Sequence, residues 1–207
     1  MLDLTINDYH ISYVIWNIML GLIPFFLCYN IFRLQKIKNK IRQLYQGLIF
    51  FLWLVFLPNA PYILTDMRHI NGFCPDTIND ICVNNAWMIA FFFLYGLIGW
   101  ILYFYAIEQI IIFIRKNISS RLSCYFPVII APVVSLGLLL GLIDRLNTWD
   151  ILFRLDLVLQ VSFLYFTDFN NLLNLIAFTF LLLVMYYAGK FVFKGIKEIK
   201  ILDKFIR

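Results

Sequence analysis

Two short polar clusters hold most of the residues that could do chemistry in this chain. The first runs from Pro58-Asn59-Ala60-Pro61-Tyr62 to Asp66-Met67-Arg68-His69. The second is Asp144-Arg145-Leu146-Asn147-Thr148-Trp149-Asp150. Asp66 and His69 stand three positions apart, which places them on one face of a helix. A carboxylate beside an imidazole can serve as an acid–base couple, and Asp150 is a further candidate for that role. Asn59, Tyr62, Arg145, Asn147 and Trp149 are the candidates for holding a substrate. Arg145 can grip a phosphate or carboxylate with two parallel N–H donors, and Trp149 can anchor at a membrane surface. The plainer alternatives are a solvated loop around Asp66 and His69, and an Arg145 paired with Asp144 or Asp150.

Other chemistry finds little support. The histidines are His10 and His69, and neither HExxH nor another metal spacing is present, so no metal site and no cofactor is expected. No nucleophile elbow, P-loop or dinucleotide-binding pattern occurs. The cysteines are Cys28, Cys74, Cys82 and Cys124, and Cys74 and Cys82 share one loop, where a disulfide is open to them in an oxidising compartment.

The elements that must position the polar clusters are membrane helices. Of 207 residues, 63% are hydrophobic and 14% charged, whereas a soluble domain has roughly half and a quarter. So little polar surface cannot cover a soluble fold. The apolar residues fall in long runs with few charges, as in membrane-spanning helices. The expected fold is an all-α polytopic transmembrane bundle, with residues 1–207 as one integral membrane domain. Its spans are expected near 11–32, 44–65, 86–107, 125–143 and 172–193. No basic region precedes the first run and no small-residue cleavage site follows it, so that run is expected to be retained as a helix.

Charge sets the expected orientation. The 33–42 loop carries +5, the region from Glu108 to Arg121 carries +2, and the tail from Lys190 to Arg207 carries +4. The alternate segments, the N-terminal tail, the 66–85 loop and the 144–170 loop, carry −2 each. Basic loops stay on the cytoplasmic side, which predicts the N-terminus outside and the C-terminus inside. The net charge of +5 lies between apolar runs rather than in a recognition motif, so nucleic acid is not an expected partner. The bilayer is; a homo-oligomer or a membrane partner protein stays open. Residues 151–166 are apolar but broken by Arg154 and Asp156, and are expected to form an outer interfacial or re-entrant helix rather than a sixth crossing.

Two features concern packing. Pro58 and Pro61 fall in the outer third of the second span, where a broken helix is tolerated if it packs in protein or lines a wet cavity. Gly137 and Gly141 form a GxxxG pattern, which lets helices approach closely, within the bundle or between copies.

At this point a resemblance emerges. Trp16-Asn17 followed by Pro24, then the run FLPNAPYILTDMRH from Phe56 to His69, then Arg145-Leu146-Asn147-Thr148-Trp149-Asp150, resemble a bacterial family of integral membrane proteins, the domain of unknown function 1361. The resemblance implies a multi-pass protein of the bacterial cytoplasmic (plasma) membrane and supplies no reaction. Three functions fit the residues. The least demanding is a non-catalytic envelope or assembly component. The second is a membrane-embedded enzyme acting on a lipid-linked or anionic envelope substrate at the outer face, with Asp66 or His69 as base. The third is a small transporter or channel-like protein. An enzyme or carrier requires the 58–69 and 144–150 segments to face one cavity.

Overall fold

The computed structural model describes residues 5–6, 9–34, 41–73 and 86–194. Cys74 and Cys82, and with them any disulfide, lie outside the described residues. A two-residue antiparallel pairing, Thr5–Ile6 with Tyr9–His10, precedes the helices. The chain then forms α1 (Ile11–Leu34), α2 (Arg42–Phe56), α3 (Asn59–Thr65) and a 3-10 segment (Asp66–Phe73). It continues as α4 (Ala86–Asn117), α5 (Ser120–Leu142), α6 (Asp150–Phe153), α7 (Leu155–Thr167) and α8 (Phe169–Lys194).

Five helical stretches are long and apolar enough to cross a membrane: Ile11–Leu34, Arg42–His69, Trp87–Asn117, Ser120–Leu142 and Phe169–Phe193. The second combines α2, α3 and the start of the 3-10 segment, so the helix is interrupted at Leu57 and Pro58 without ending the span. α4 continues to Asn117, ten residues past the expected boundary at Ile107, because residues 110–114 stay apolar and bury Ile110, Ile111 and Ile114. α5 starts earlier than expected, at Ser120, because Ser119 caps it by accepting from the Leu122 N–H at 3.4 Å.

α4 is the hub and packs against α1, α3, α5 and α8. Its residues Tyr103, Ala106, Ile107, Ile110, Ile111 and Ile114 recur at helical spacing on one stripe. They meet Cys28 and Ile31 of α1, Trp53 of α2, Phe126 and Ile130 of α5, and Tyr186 of α8. Glycines set how closely these helices approach. A Cβ at Gly99 of α4 would sit 2.7 Å from Ile63 Cβ and 2.8 Å from the Ala60 carbonyl oxygen; one at Gly137 of α5 would sit 2.5 Å from Pro58 Cγ. Gly137 and Gly141 therefore serve packing within the bundle, against the proline break and Tyr62.

α7 has 13 residues, about 20 Å at 1.5 Å per residue, against the roughly 30 Å of a bilayer core. It buries Val158 and Tyr165 with Leu139, Leu140 and Leu175 and exposes Leu159, Phe163 and Phe166. Residues 151–166 thus form a short α6 and an α7 of about two thirds of the bilayer core's thickness, too short for a sixth span.

Candidate ligand-binding groove

The proline break is held by substitute hydrogen bonds. Pro61 has no N–H for the Leu57 carbonyl, which instead accepts from the Ala60 N–H at 3.1 Å. That draws the Ala60 N–H away from the Phe56 carbonyl, and the Asn59 side-chain amide fills the vacancy at 2.9 Å. The same amide nitrogen donates to Thr148 Oγ1 at 3.0 Å. Asn59 therefore completes the broken helix and ties it to the loop after α5.

That loop is tightly built. The Leu146 N–H returns to the Leu140 carbonyl at 3.0 Å, closing the end of α5. Arg145 lies inside this turn at φ 58°, and among the described residues it is the one non-glycine residue in the left-handed region. The Asn147 N–H donates to Asp150 Oδ2 at 2.6 Å, and the Asp150 N–H donates back to the Asn147 carbonyl at 2.9 Å, which closes the turn that leads into α6. Asp150 is buried and pairs with Arg154 at 3.7 Å. Asp144 accepts from the Tyr165 hydroxyl at 2.7 Å, and burial together with that carboxylate pushes the Tyr165 hydroxyl well above the ordinary tyrosine range. Both loop carboxylates have other partners, so Arg145 pairs with neither.

Between α1–α3 on one side and α5–α7 on the other lies a cavity of about 500 Å³. The α5 wall is a single helical stripe: Val133, Leu136, Gly137, Leu140 and Gly141. The α2 wall is Phe51, Leu54 and Val55, continued by Pro58, Asn59 and Tyr62. α1 adds Trp16, Asn17 and Leu20, and α7 adds Val158 and Ser162. Arg145, Leu146, Asn147, Thr148 and Trp149 close the loop end. Phe51 and Val133 sit well inside α2 and α5 and are 45% and 46% exposed, so the cavity opens sideways as a groove toward the surface that lipid covers. It is apolar along the spans and polar at the loop.

The five substrate-holding candidates Asn59, Tyr62, Arg145, Asn147 and Trp149 all line this groove. The acid–base candidates Asp66, His69 and Asp150 do not. Asp66 is 2% exposed, and its Oδ2 accepts from Asn17 Nδ2 at 2.7 Å and from the Tyr95 hydroxyl at 3.1 Å. His69 Nε2 lies 4.0 Å from Asp66 Oδ1. The solvated-loop alternative fails for Asp66, because α3 and the 3-10 segment carry it inward against α1 and α4. Arg68 ties its own cluster to the end of α5, donating to the Leu142 carbonyl and the Tyr62 hydroxyl, each at 3.3 Å.

Trp16, Asn17, Thr148 and Ser162 line the groove as well and were not among the candidates. Thr148 lies between two candidates, and Trp16 and Asn17 belong to the first block of the family resemblance, which is a signal. Ser162 sits in an apolar run and offers none. Among the described residues no three His, Cys, Asp or Glu side chains stand close enough to hold a metal ion.

No curated protein matches the chain, and no solved structure does. A family described as protein of unknown function (DUF1361) matches residues 16–185. That stretch begins at Trp16, takes in the proline break and the Arg145 loop, and ends within α8; the chain belongs to the DUF1361 family.

Proposed function

We propose that this chain is a multi-pass protein of the bacterial cytoplasmic membrane that holds the head group and adjoining hydrocarbon of an anionic lipid in its groove, as a non-catalytic envelope component. The observation that carries this reading is the polarity gradient of the groove. An apolar wall at the depth of α2 and α5 leads to a mouth where Arg145 is the one ionised side chain among the described lining residues. Arg145 makes no hydrogen bond or ion pair with a described residue, and its guanidinium offers five donors. An anionic head supplies the missing partner, and the sideways opening supplies a path for the chain. The charge alternation of the loops supports an outer-face position for the mouth.

A second reading has one observation in its favour. Asn17 both lines the groove and donates to Asp66, which links a buried carboxylate to the site one residue behind its wall. That reading makes the chain an enzyme on an anionic lipid-linked substrate.

The test uses the full chain in nanodiscs containing a photoactivatable anionic phospholipid. Labelling should concentrate on residues 51–55 and 133–141 and vanish in Val133→Trp, which plugs the opening from an exposed position. Arg145→Ala should weaken labelling roughly tenfold, the size of a lost charge-assisted hydrogen bond. Equal labelling by a zwitterionic photolipid would overturn the proposal.

A further inference from the structure

Several polar groups that face the groove have no partner among the described residues. The Asn17 nitrogen is committed to Asp66, which leaves its carbonyl oxygen for the groove. The Asn147 backbone is committed to Asp150, while its side-chain amide forms no hydrogen bond to a described residue. The same holds for the Ser162 hydroxyl and the Trp149 indole N–H. Thr148 and Tyr62 are already bonded, to Asn59 and Arg68. The groove thus offers one cation, two neutral groups that both donate and accept, one further acceptor and two further donors, the indole N–H groups of Trp149 and Trp16.

Building on the lipid-binding reading above, we infer that the head group is a phosphodiester bearing hydroxyls, a glycerol- or sugar-phosphate lipid. Charge favours this class. A phosphodiester carries one negative charge, which Arg145 matches, whereas a phosphomonoester approaches two near neutral pH and leaves the excess unpaired beside apolar walls. Hydrogen bonding favours it too. Hydroxyls donate and accept, so they satisfy the Asn17 carbonyl, the Asn147 amide and Ser162 together. A fatty-acid carboxylate accepts only, and leaves the Asn17 carbonyl without a donor. Choline and ethanolamine heads bring a cation, and no described lining residue is a carboxylate to receive it. Trp16 and Trp149, 49% and 43% exposed, give flat faces for the C–H side of a polyol.

The experiment is native mass spectrometry of the full chain with phosphatidylglycerol, phosphatidic acid and oleate titrated in turn. Phosphatidylglycerol should bind roughly tenfold tighter than the other two, the yield of about two added neutral hydrogen bonds. Asn147→Ala combined with Ser162→Ala should remove that preference and leave phosphatidic acid within about twofold of its starting affinity. Arg145→Ala should weaken every anionic lipid, with monodispersity by size exclusion confirming the fold. If phosphatidic acid or oleate binds as tightly as phosphatidylglycerol while Arg145→Ala still weakens all three, the hydroxylated class is wrong and the lipid groove stands. If Arg145→Ala weakens none, both fall.

Discussion

The Asn59 amide donates to Thr148 Oγ1 at 3.0 Å across 89 positions of sequence. This bond joins the proline break of the second span to the loop that carries Arg145. It also sits in the groove wall, so it fixes two sides of the site relative to each other. Thr148 Oγ1 also donates to Asn59 Oδ1 across a longer, weaker 3.4 Å. Asn59→Ala removes this pair of bonds together with the bond that completes the Phe56 carbonyl, and Thr148→Ala removes the pair. The expected losses in stability are about 2 kcal/mol and about 1 kcal/mol, at the usual net value of a buried hydrogen bond. A double-mutant cycle in detergent should give a coupling of about 0.5–1 kcal/mol. Strict additivity would show that the two segments do not stabilise each other.

Gly137 and Gly47 make a controlled pair. A Cβ at Gly137 would lie 2.5 Å from Pro58 Cγ, whereas one at Gly47 meets nothing within 4 Å. Both sit inside helices, where alanine is intrinsically favoured by about 1 kcal/mol. Gly47→Ala should therefore be neutral or stabilising. Gly137→Ala should lose about 1–3 kcal/mol through overpacking against a rigid ring. Thermal unfolding of the two variants decides the matter, and equal melting temperatures would remove the close approach of α5 to the break.

Asp66 was legible in the sequence as a polar residue of interest but not as a buried one. Counting 20 residues from Gln46 ends a span at Thr65, which leaves Asp66 in a loop. The chain instead stays helical through a 3-10 segment, and Asp66 lands at 2% exposure between Asn17 and Tyr95. The five spans were readable because hydrophobic runs report burial in lipid locally. The proline break was readable because proline acts on its own helix. What no local pattern carries is the meeting of Asn59 with Thr148, or of Gly137 with Pro58, since each joins elements far apart in the chain. Asn147 and Asp150 are the exception within the loop. They stand three positions apart and bond to each other in both directions, a contact short enough in sequence for a local turn to make.

Asp66 yields a prediction that separates a structural carboxylate from a catalytic one. Asp66→Ala removes the acceptor shared by the Asn17 amide and the Tyr95 hydroxyl, at about 0.5–1.5 kcal/mol for each bond lost. Asp66→Asn keeps one carbonyl oxygen to accept a bond and should retain more folded protein. Lipid labelling of the groove in the Asn variant should stay at its unmodified level if Asp66 only positions Asn17. A hydrolysed or transferred lipid product that disappears in Asp66→Asn, at unchanged protein level, would instead establish the enzymatic reading.

Arg145 closes the case because stability and binding pull in opposite directions there. A non-glycine residue at φ 58° stores about 1 kcal/mol of backbone strain. The Leu146 to Leu140 bond holds it in that state, and in return its guanidinium is carried at the mouth of the groove. Arg145→Ala keeps the strain and removes the cation, while Arg145→Gly removes both. Anionic-lipid binding should fall equally in the two variants, by roughly tenfold. Stability should not: the glycine variant should exceed the alanine variant by up to about 1 kcal/mol, reduced by the extra entropy glycine gives the unfolded chain. Denaturation of both proteins without added lipid reads that difference directly. If alanine proves the more stable, the left-handed turn is not strained, and the link between Arg145's backbone and its role in the groove is lost.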